Sequence, residues 1–454
     1  MFIIKLKYLF QSEYIRRYSL WTISILIIFL GFFSNSWRVA ERNWFANHQK
    51  DTESHVMGRM VKSRQDGILS AGGLNGWGTT KINDAEWIPT TERGPQYNAY
   101  LYNFSFENYS TYKSQPGGQG MLFSLLDRLI PLSSTFKFWT FYVLTSLLSA
   151  VALTYIINWF YNEFGGVVAI SVLCSIVLSQ WLTVFGRNLW WSIWAFYLPM
   201  IFVMNYLQNN RDIENRKYIQ FGILIFIAVS IKCFINGYEY MTTTLLMMVT
   251  PFIFYAFLDK WNKHKYIKGT LAVVLGSGIA IFLSLIMLCF QIGAVKGGFM
   301  DGVNHVFYSF GKRTYGNAED FPPIYAASLD AGTIGVVKTY INGVFFDLNN
   351  YISISNTFVA NYLFKIRYSY LIVLFVLTSI LLYLRYNQSD VKNPKYIALI
   401  ITTWFSILAP LSWFIIFKAH SYIHTHMSYL LWQMPFTLFG FAIIASAYFI
   451  RRKV

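Results

Sequence analysis

Apolar segments long enough to cross a bilayer recur ten times along this chain, and that recurrence constrains its fold more than any single motif. They lie at roughly 18–36, 138–159, 165–184, 189–207, 218–235, 241–259, 270–293, 368–385, 396–417 and 429–450. A bilayer core needs roughly 20 apolar residues per helical crossing. Within lipid every backbone N–H and C=O must pair inside the segment, so such runs predict helices. The fold class expected is an all-α polytopic membrane protein of about ten spans, a single membrane domain over 1–454. Composition agrees: 55% of the 454 residues are apolar, 13% are charged and mean hydropathy is +0.40. An ordinary soluble domain is about 25% charged. A soluble enzyme is excluded, and so is disorder, which needs low hydrophobicity.

Charge orders these spans. The first run follows Lys5, Lys7, Arg16 and Arg17 and ends in SNSWRVAERNW, with no A-x-A cleavage pattern, so it reads as an uncleaved signal anchor. With the N-terminus inside, the inner segments also collect Arg211, Arg216, Lys217, Lys260, Lys263, Lys265, Lys268, Arg385, Lys392, Lys395, Arg451, Arg452 and Lys453. The short outer turns hold only Arg187, Lys232 and Lys418. Basic residues concentrate on the cytoplasmic side of membrane proteins. Both termini are therefore expected in the cytoplasm of a plasma (inner) membrane. The net charge of +16 is explained by residues flanking spans, without nucleic acid as a partner. Cys174, Cys233 and Cys289 all fall in or beside apolar runs and suggest neither a disulfide framework nor a metal site.

Two long outer loops remain, 38–137 and 294–367, while the inner loops are short. Chemistry is thus expected at the outer face. In the first loop Asp51 is a plausible N-cap for a short amphipathic helix on the membrane surface. GILSAGGLNGWG (67–78) and SQPGGQG (114–120) read as glycine-rich turns, and Met121 to Leu132 as a second surface helix. Trp77, Trp87, Tyr97, Tyr100 and Tyr102 suit either stacking on sugar rings or packing of the loop itself.

Six of seven histidines fall outside on this map: His48, His55, His305, His420, His424 and His426. Ionisable groups at membrane depth are costly and usually functional. Lys418, His420, His424 and His426 suit a phosphate. They are also compatible with a divalent metal, although no cysteine or HExxH motif accompanies them. Arg187, beside Asn188, suits bidentate grip of a phosphate, or snorkelling beside Trp190, Trp191 and Trp194. Glu239 and Tyr240, in NGYEY with Lys232 before them, suit either acceptor binding or a structural ion pair. Glu53, with Asp51 as the alternative, is the candidate general base. Lys296, His305, Lys312 and Arg313, with Phe307, Tyr308, Phe310 and Tyr315, form a basic aromatic stretch suited to sugar or lipid-phosphate headgroups, or a solvated loop.

The segments DTESHVMGRM (51–60), FGRNLWW (185–191), NGYEY (236–240) and KAHSYIHTHMSYLLW (418–432), with the long first outer loop, resemble those of GT-C superfamily membrane glycosyltransferases. The resemblance covers most of the chain as architecture. It implies a polyprenyl-phosphate sugar donor, a glycan, glycolipid or protein acceptor, and transfer at the outer face of the bilayer. It also implies a catalytic carboxylate early in the first loop, Glu53 or Asp51. Arg187, Lys418, His420, His424 and His426 would bind the donor phosphate, with Asn188, Glu239, Tyr240 and His305 contacting substrate. No cofactor is required by this chemistry. Asp51-x-Glu53 replaces a tandem Asp-Glu, and neither a WWD-type motif nor a soluble C-terminal domain is present, which argues against an oligosaccharyltransferase. An O-antigen-type polymerase or ligase and a lipid or glycan transporter are the competing expectations. The transporter is disfavoured because its ionisable residues would sit near mid-membrane.

Overall fold

The computed structural model describes residues 13–79, 94–211, 215–352, 355–389 and 392–449. Lys5, Lys7, Trp87, Arg451, Arg452 and Lys453, used above, lie outside them. Helices dominate. The described residues begin with α1 (Glu13–Ser34) and continue into the segment that the charge map assigns to the outer side, called the first outer segment on that map: α2 (Arg42–Asn47), α3 (Lys50–Asp66), β1 (Gly76–Thr79), α4 (Pro95–Tyr102), β2 (Asn108–Thr111) and α5 (Gly118–Leu129). The bundle follows: α6 (Ser134–Phe164), α7 (Gly166–Val177), α8 (Gln180–Phe185), α9 (Trp194–Asn209), α10 (Asn215–Asn236), α11 (Met241–Leu258) and α12 (Lys263–Lys296). A second outer segment carries α13 (Phe299–Arg313), α14 (Ala326–Leu329), α15 (Thr333–Ile341), β3 (Val344–Asp347) and β4 (Lys365–Arg367). The chain closes with α16 (Tyr368–Gln388), α17 (Pro394–Ser406), α18 (Leu408–Ile416), α19 (Lys418–Ile423) and α20 (Phe436–Phe449). The strands form two antiparallel pairs, β1–β2 and β3–β4.

Among the described residues seven helical stretches are long and apolar enough to cross a bilayer: α1, α6, α10, α11, α12, α16 and the α17–α18 unit. The other three expected spans consist of shorter pieces. Segment 165–184 divides into α7 and α8, 189–207 is the 16-residue α9, and 429–450 is a 3-10 turn followed by the 14-residue α20. The count of ten is therefore not reached; seven is the number that length and apolarity support.

Packing sorts the spans into centre and rim. The windows of α6 and α11 are 61% and 67% buried, that of α1 only 22%. One apolar core, which includes Ile28, Trp159, Trp413, Trp432 and Ala447, runs through the bundle. The rim helices turn large apolar side chains outward, among them Leu275, Ile279 and Phe282 of α12 and Val373, Leu377 and Ile380 of α16. In water such a belt would be destabilising; against acyl chains it is the stable arrangement.

The first outer segment departs from expectation in one respect. Helix α3 does not lie on a membrane surface: Glu53 to Val61 are all buried. Its N-cap is Gln49, in the left-handed region at φ 55°, and Asp51 sits inside the first turn rather than capping it. Helix α5 does present one apolar edge outward, at Leu125 and Leu129.

The two ends of the bundle are chemically distinct. At one end Glu163 joins Arg211, Lys395 and Tyr255, and Arg211 also reaches Asp259. These residues come from turns that the charge map assigns to a common side. The other end carries both outer segments and most of the histidines.

Candidate functional site

Gln49 anchors the start of α3. Its carbonyl accepts from Asn188 Nδ2 at 3.2 Å and its Oε1 from Trp191 Nε1 at 3.3 Å. This ties α3 to the Arg187–Trp191 turn. Asn188 Oδ1 in turn accepts from Trp190 N and Trp191 N, so Asn188 builds the turn.

Glu53 sits at the centre of that junction, 1% exposed. Its Oε1 accepts from Tyr142 OH at 2.5 Å, Tyr97 OH at 2.6 Å and Lys50 Nζ at 3.1 Å; its Oε2 accepts from Leu189 N at 2.9 Å. Burial works to raise this carboxyl. Lys50 and the tyrosine and backbone donors outweigh burial and hold it below the usual carboxylate range. The arrangement suits an ionised structural anchor. It does not suit a general base, which must meet an incoming hydroxyl.

Asp51 faces elsewhere. Two residues along an α-helix rotate a side chain by about 200°, so Asp51 and Glu53 project to opposite sides of α3. Asp51 is half-exposed, and its charge is felt at His426 and at His55. His55 packs among Trp77, Tyr112 and Trp190, with ring centroids 4.7, 5.2 and 5.3 Å away. That side of α3 thus combines a half-exposed carboxylate with an aromatic wall.

Opposite lies a second group of side chains. Arg313, in the last turn of α13, is 3.5 Å from Glu239 Oε1 and donates to Tyr112 OH at 3.3 Å. Glu239 Oε2 is buried without a hydrogen-bond partner and lies 3.7 Å from His420 Nε2. The His420 and His424 rings are 4.3 Å apart, those of His424 and His426 5.4 Å. Nδ1 of both His420 and His424 is buried and unpartnered. Burial, then Arg313, Lys312 and His426, push His420 well below its ordinary value. Burial and His420 push His424 down to about 2, against the pull of Glu239. Burial lowers His426 as well, with Asp51 opposing it. These imidazoles are neutral at pH 7, so the His420–Glu239 approach is not an ion pair. The site's positive charge resides on Arg313, which Glu239 and Tyr112 hold protonated despite its burial. Lys296, Lys113 and Lys312 lie in the same field: burial, then these lysines and Arg313, lower His305 to about 4.

Glycine permits this assembly. Gly237, at φ 58°, lies so close to Gln115 that a Cβ would come within 2.2 Å of the Gln115 Cβ. A Cβ on Gly118 would sit 2.3 Å from the Phe234 carbonyl oxygen. The SQPGGQG loop can therefore close over the turn that carries Glu239 only because these positions lack side chains.

The structure brings Asp51, Glu239, His420, His424 and His426 into one region, and leaves other sequence candidates outside it. The Arg187 guanidinium stacks 4.2 Å from the Phe45 ring centroid and donates to the Phe33 carbonyl. Lys418 Nζ donates to the carbonyls of Leu329 and Ala331, which clamps α19 to the second outer segment. Tyr240 stacks on Trp191 and its hydroxyl meets Ser428 Oγ at 3.2 Å. His305 hydrogen-bonds Ser309 on α13, in the basic flank. His48 is buried, accepts from Trp44 Nε1 and is pushed to about 3 by burial. Arg313 was named in the sequence only as one of a basic aromatic stretch, and Tyr112 was not named at all, since no local signal marks it. Among the described residues no three His, Cys, Asp or Glu side chains are placed to hold a metal ion.

No known protein family, characterised protein or solved structure matches the chain.

Proposed function

We propose that this chain is a membrane glycosyltransferase. It would move a sugar from a polyprenyl-phosphate donor to a hydroxyl of a glycan, glycolipid or protein at the histidine-bearing end of the bundle. The observation that carries the reading is the half-exposed Asp51, whose charge reaches His426, in the same region as Arg313 and as Glu239, His420 and His424, which leave buried polar atoms unpartnered. Buried polar atoms without partners are uncommon in folded proteins and mark places where a ligand or water completes the bonding.

In this reading Asp51, not Glu53, takes the acceptor proton as the hydroxyl oxygen attacks the anomeric carbon. The bond from that carbon to the phosphate oxygen breaks, and the lipid phosphate leaves with the electron pair. Charge growing on it is met by Arg313, the neutral histidines donate hydrogen bonds, and Lys113, Lys296 and Lys312 supply a favourable field. Trp77, Tyr112 and Trp190, which pack around His55, would border the sugar ring.

The test is analysis of lipid-linked and surface glycans in cells lacking the protein, complemented with wild type, Asp51→Asn or Glu53→Gln. The reading requires one sugar missing in the null strain, donor accumulating, and no restoration by Asp51→Asn. Unchanged glycan composition and chain length would remove it. The O-antigen-type polymerase or ligase is favoured by a cluster built on arginine and histidine. It relies on no first-loop carboxylate, so Asp51→Asn would retain activity.

A further inference from the structure

At the opposite end of the bundle a polar cleft of about 270 Å³ opens between α1, α6 and α9. Five carboxamides line it, Asn158 and Asn162 from α6 and Asn205, Gln208 and Asn209 from α9, together with Arg17 of α1. A second cleft of about 300 Å³ shares Arg17, Tyr155 and Asn158 and continues to Tyr18 and Trp21. So many amides near the ends of spanning helices are unfavourable against lipid unless something polar meets them. Their bonds to one another are few. Arg17 Nε donates to Asn158 Oδ1 at 2.9 Å, Asn209 Nδ2 to Asn205 Oδ1 at 3.0 Å, and Asn162 Nδ2 to Gln208 Oε1 at 3.4 Å. Gln208 leans on the Glu163 ion-pair network, at 3.4 Å, which gives the cleft a fixed floor. Among the described residues the terminal guanidinium nitrogens of Arg17, the Nδ2 of Asn158 and Asn205, and the Oδ1 of Asn162 and Asn209 have no hydrogen-bond partner.

We propose that this cleft binds the headgroup of a glycerol-headed anionic phospholipid from the adjoining leaflet. One arginine with two free N–H edges matches a single phosphodiester. Carboxamides, each both donor and acceptor, match hydroxyl groups, which are also both. Being neutral, they bring no charge to balance the additional ammonium and carboxylate of a serine headgroup. Trp21 and Tyr155, edge to face at 6.1 Å, form an aromatic flank of the kind found at headgroup depth. Exposed Ile23 and Leu26 further along α1 offer apolar surface to acyl chains. The site is separate from the histidine cluster and stands whether or not the glycosyltransferase reading does.

The experiment is native mass spectrometry of the full chain in detergent, titrated in turn with phosphatidylglycerol, phosphatidylserine and phosphatidylcholine of matched acyl chains. Wild type is expected to retain phosphatidylglycerol best and phosphatidylcholine least. Arg17→Gln should weaken phosphatidylglycerol binding about ten- to a hundredfold, the worth of one charge-assisted contact, and erase the preference over phosphatidylcholine. Asn205→Leu should instead erase the preference over phosphatidylserine. Arg17, Asn162, Asn205 and Asn209 are all exposed, so these variants should fold. If Arg17→Gln is not recovered folded, Asn209→Leu with Asn162→Leu replaces it, with loss of the serine discrimination expected. Equal retention of phosphatidylglycerol and phosphatidylserine by wild type overturns the proposal. Undiminished phosphatidylglycerol binding in Arg17→Gln, or in the replacement pair, does so too.

Discussion

Glu53 and Glu239 are buried acids at the same end of the bundle, and they are built in opposite ways. Glu53 spends both oxygens on four donors drawn from α3, α4, α6 and the Leu189 turn. Glu239 keeps Oε2 without a hydrogen bond and shares a single arginine at 3.5 Å. A saturated buried carboxylate holds elements together, whereas an unsaturated one beside an arginine and neutral imidazoles has bonding capacity left for a ligand. Burial alone, which includes both, does not separate an anchor from a site. The count of donors does.

That contrast can be broken most directly at α3. Asp51→Asn should lower the transfer rate by about 10²–10⁴-fold, the usual contribution of a general base, while unfolding stability changes by less than about 1 kcal/mol. Initial rates and thermal unfolding on the same preparation decide it; a normal rate would return the role to another group. Glu53→Gln should do the reverse. Replacing a buried ionised hub while leaving the half-buried Lys50 beside it costs about 3–5 kcal/mol of stability, read as a lower unfolding midpoint. A variant that is stable but inactive would make Glu53 the catalytic residue after all.

On the other side of the comparison, Arg313→Gln should reduce kcat/KM by about ten- to a hundredfold, because the leaving phosphate loses its nearest cation. An unchanged value would mean that the flanking lysines suffice. pH sharpens the same contrast. His48 and His55 are buried and lowered to about 3 and about 4, so the unfolded chain binds their protons first as pH falls. Their contribution is intact above about pH 6.5 and is lost below it, each adding about 1.4 kcal/mol per pH unit to the slope. Glu53 acts in the same direction: its carboxyl is lowered, so its contribution disappears as pH falls below the ordinary carboxylate value. Unfolding midpoints should hold from pH 7.5 to about 6.5 and decline from there to pH 5, less steeply in His48→Phe. The smallest effect is expected at Lys418→Met. Its ammonium clamps two carbonyls, so stability should fall by about 1–2 kcal/mol with the rate nearly unchanged. A large rate loss in a stable Lys418→Met protein would restore it to the phosphate site.

Much of this end of the molecule was legible in local pattern. The KAHSYIHTHM run and the NGYEY turn were visible as polar interruptions in apolar sequence, and they do meet. Asp51 and Glu53 were visible too, but not how each is held. At Asp51 an N-cap was expected, yet Gln49 takes that place in a left-handed conformation tied to Asn188 and Trp191. The rotation between the two acids then sends Glu53 inward. Arg187 and Lys418 read as free cations; the Phe33, Leu329 and Ala331 carbonyls that occupy them lie between 87 and 154 residues away. Tyr112 and Arg313 meet across 201 residues of chain, a contact no local signal announces.

What the sequence determined by itself is what the solvent demands. Apolar runs are readable because a bilayer requires them wherever the chain crosses, independently of partners. The all-α class and the separation of a basic end from a histidine end follow from them. How each acid is held was decided by tertiary structure alone. That depends on how many donors reach its two oxygens, and at Glu53 three of the four come from residues 44 to 136 positions away.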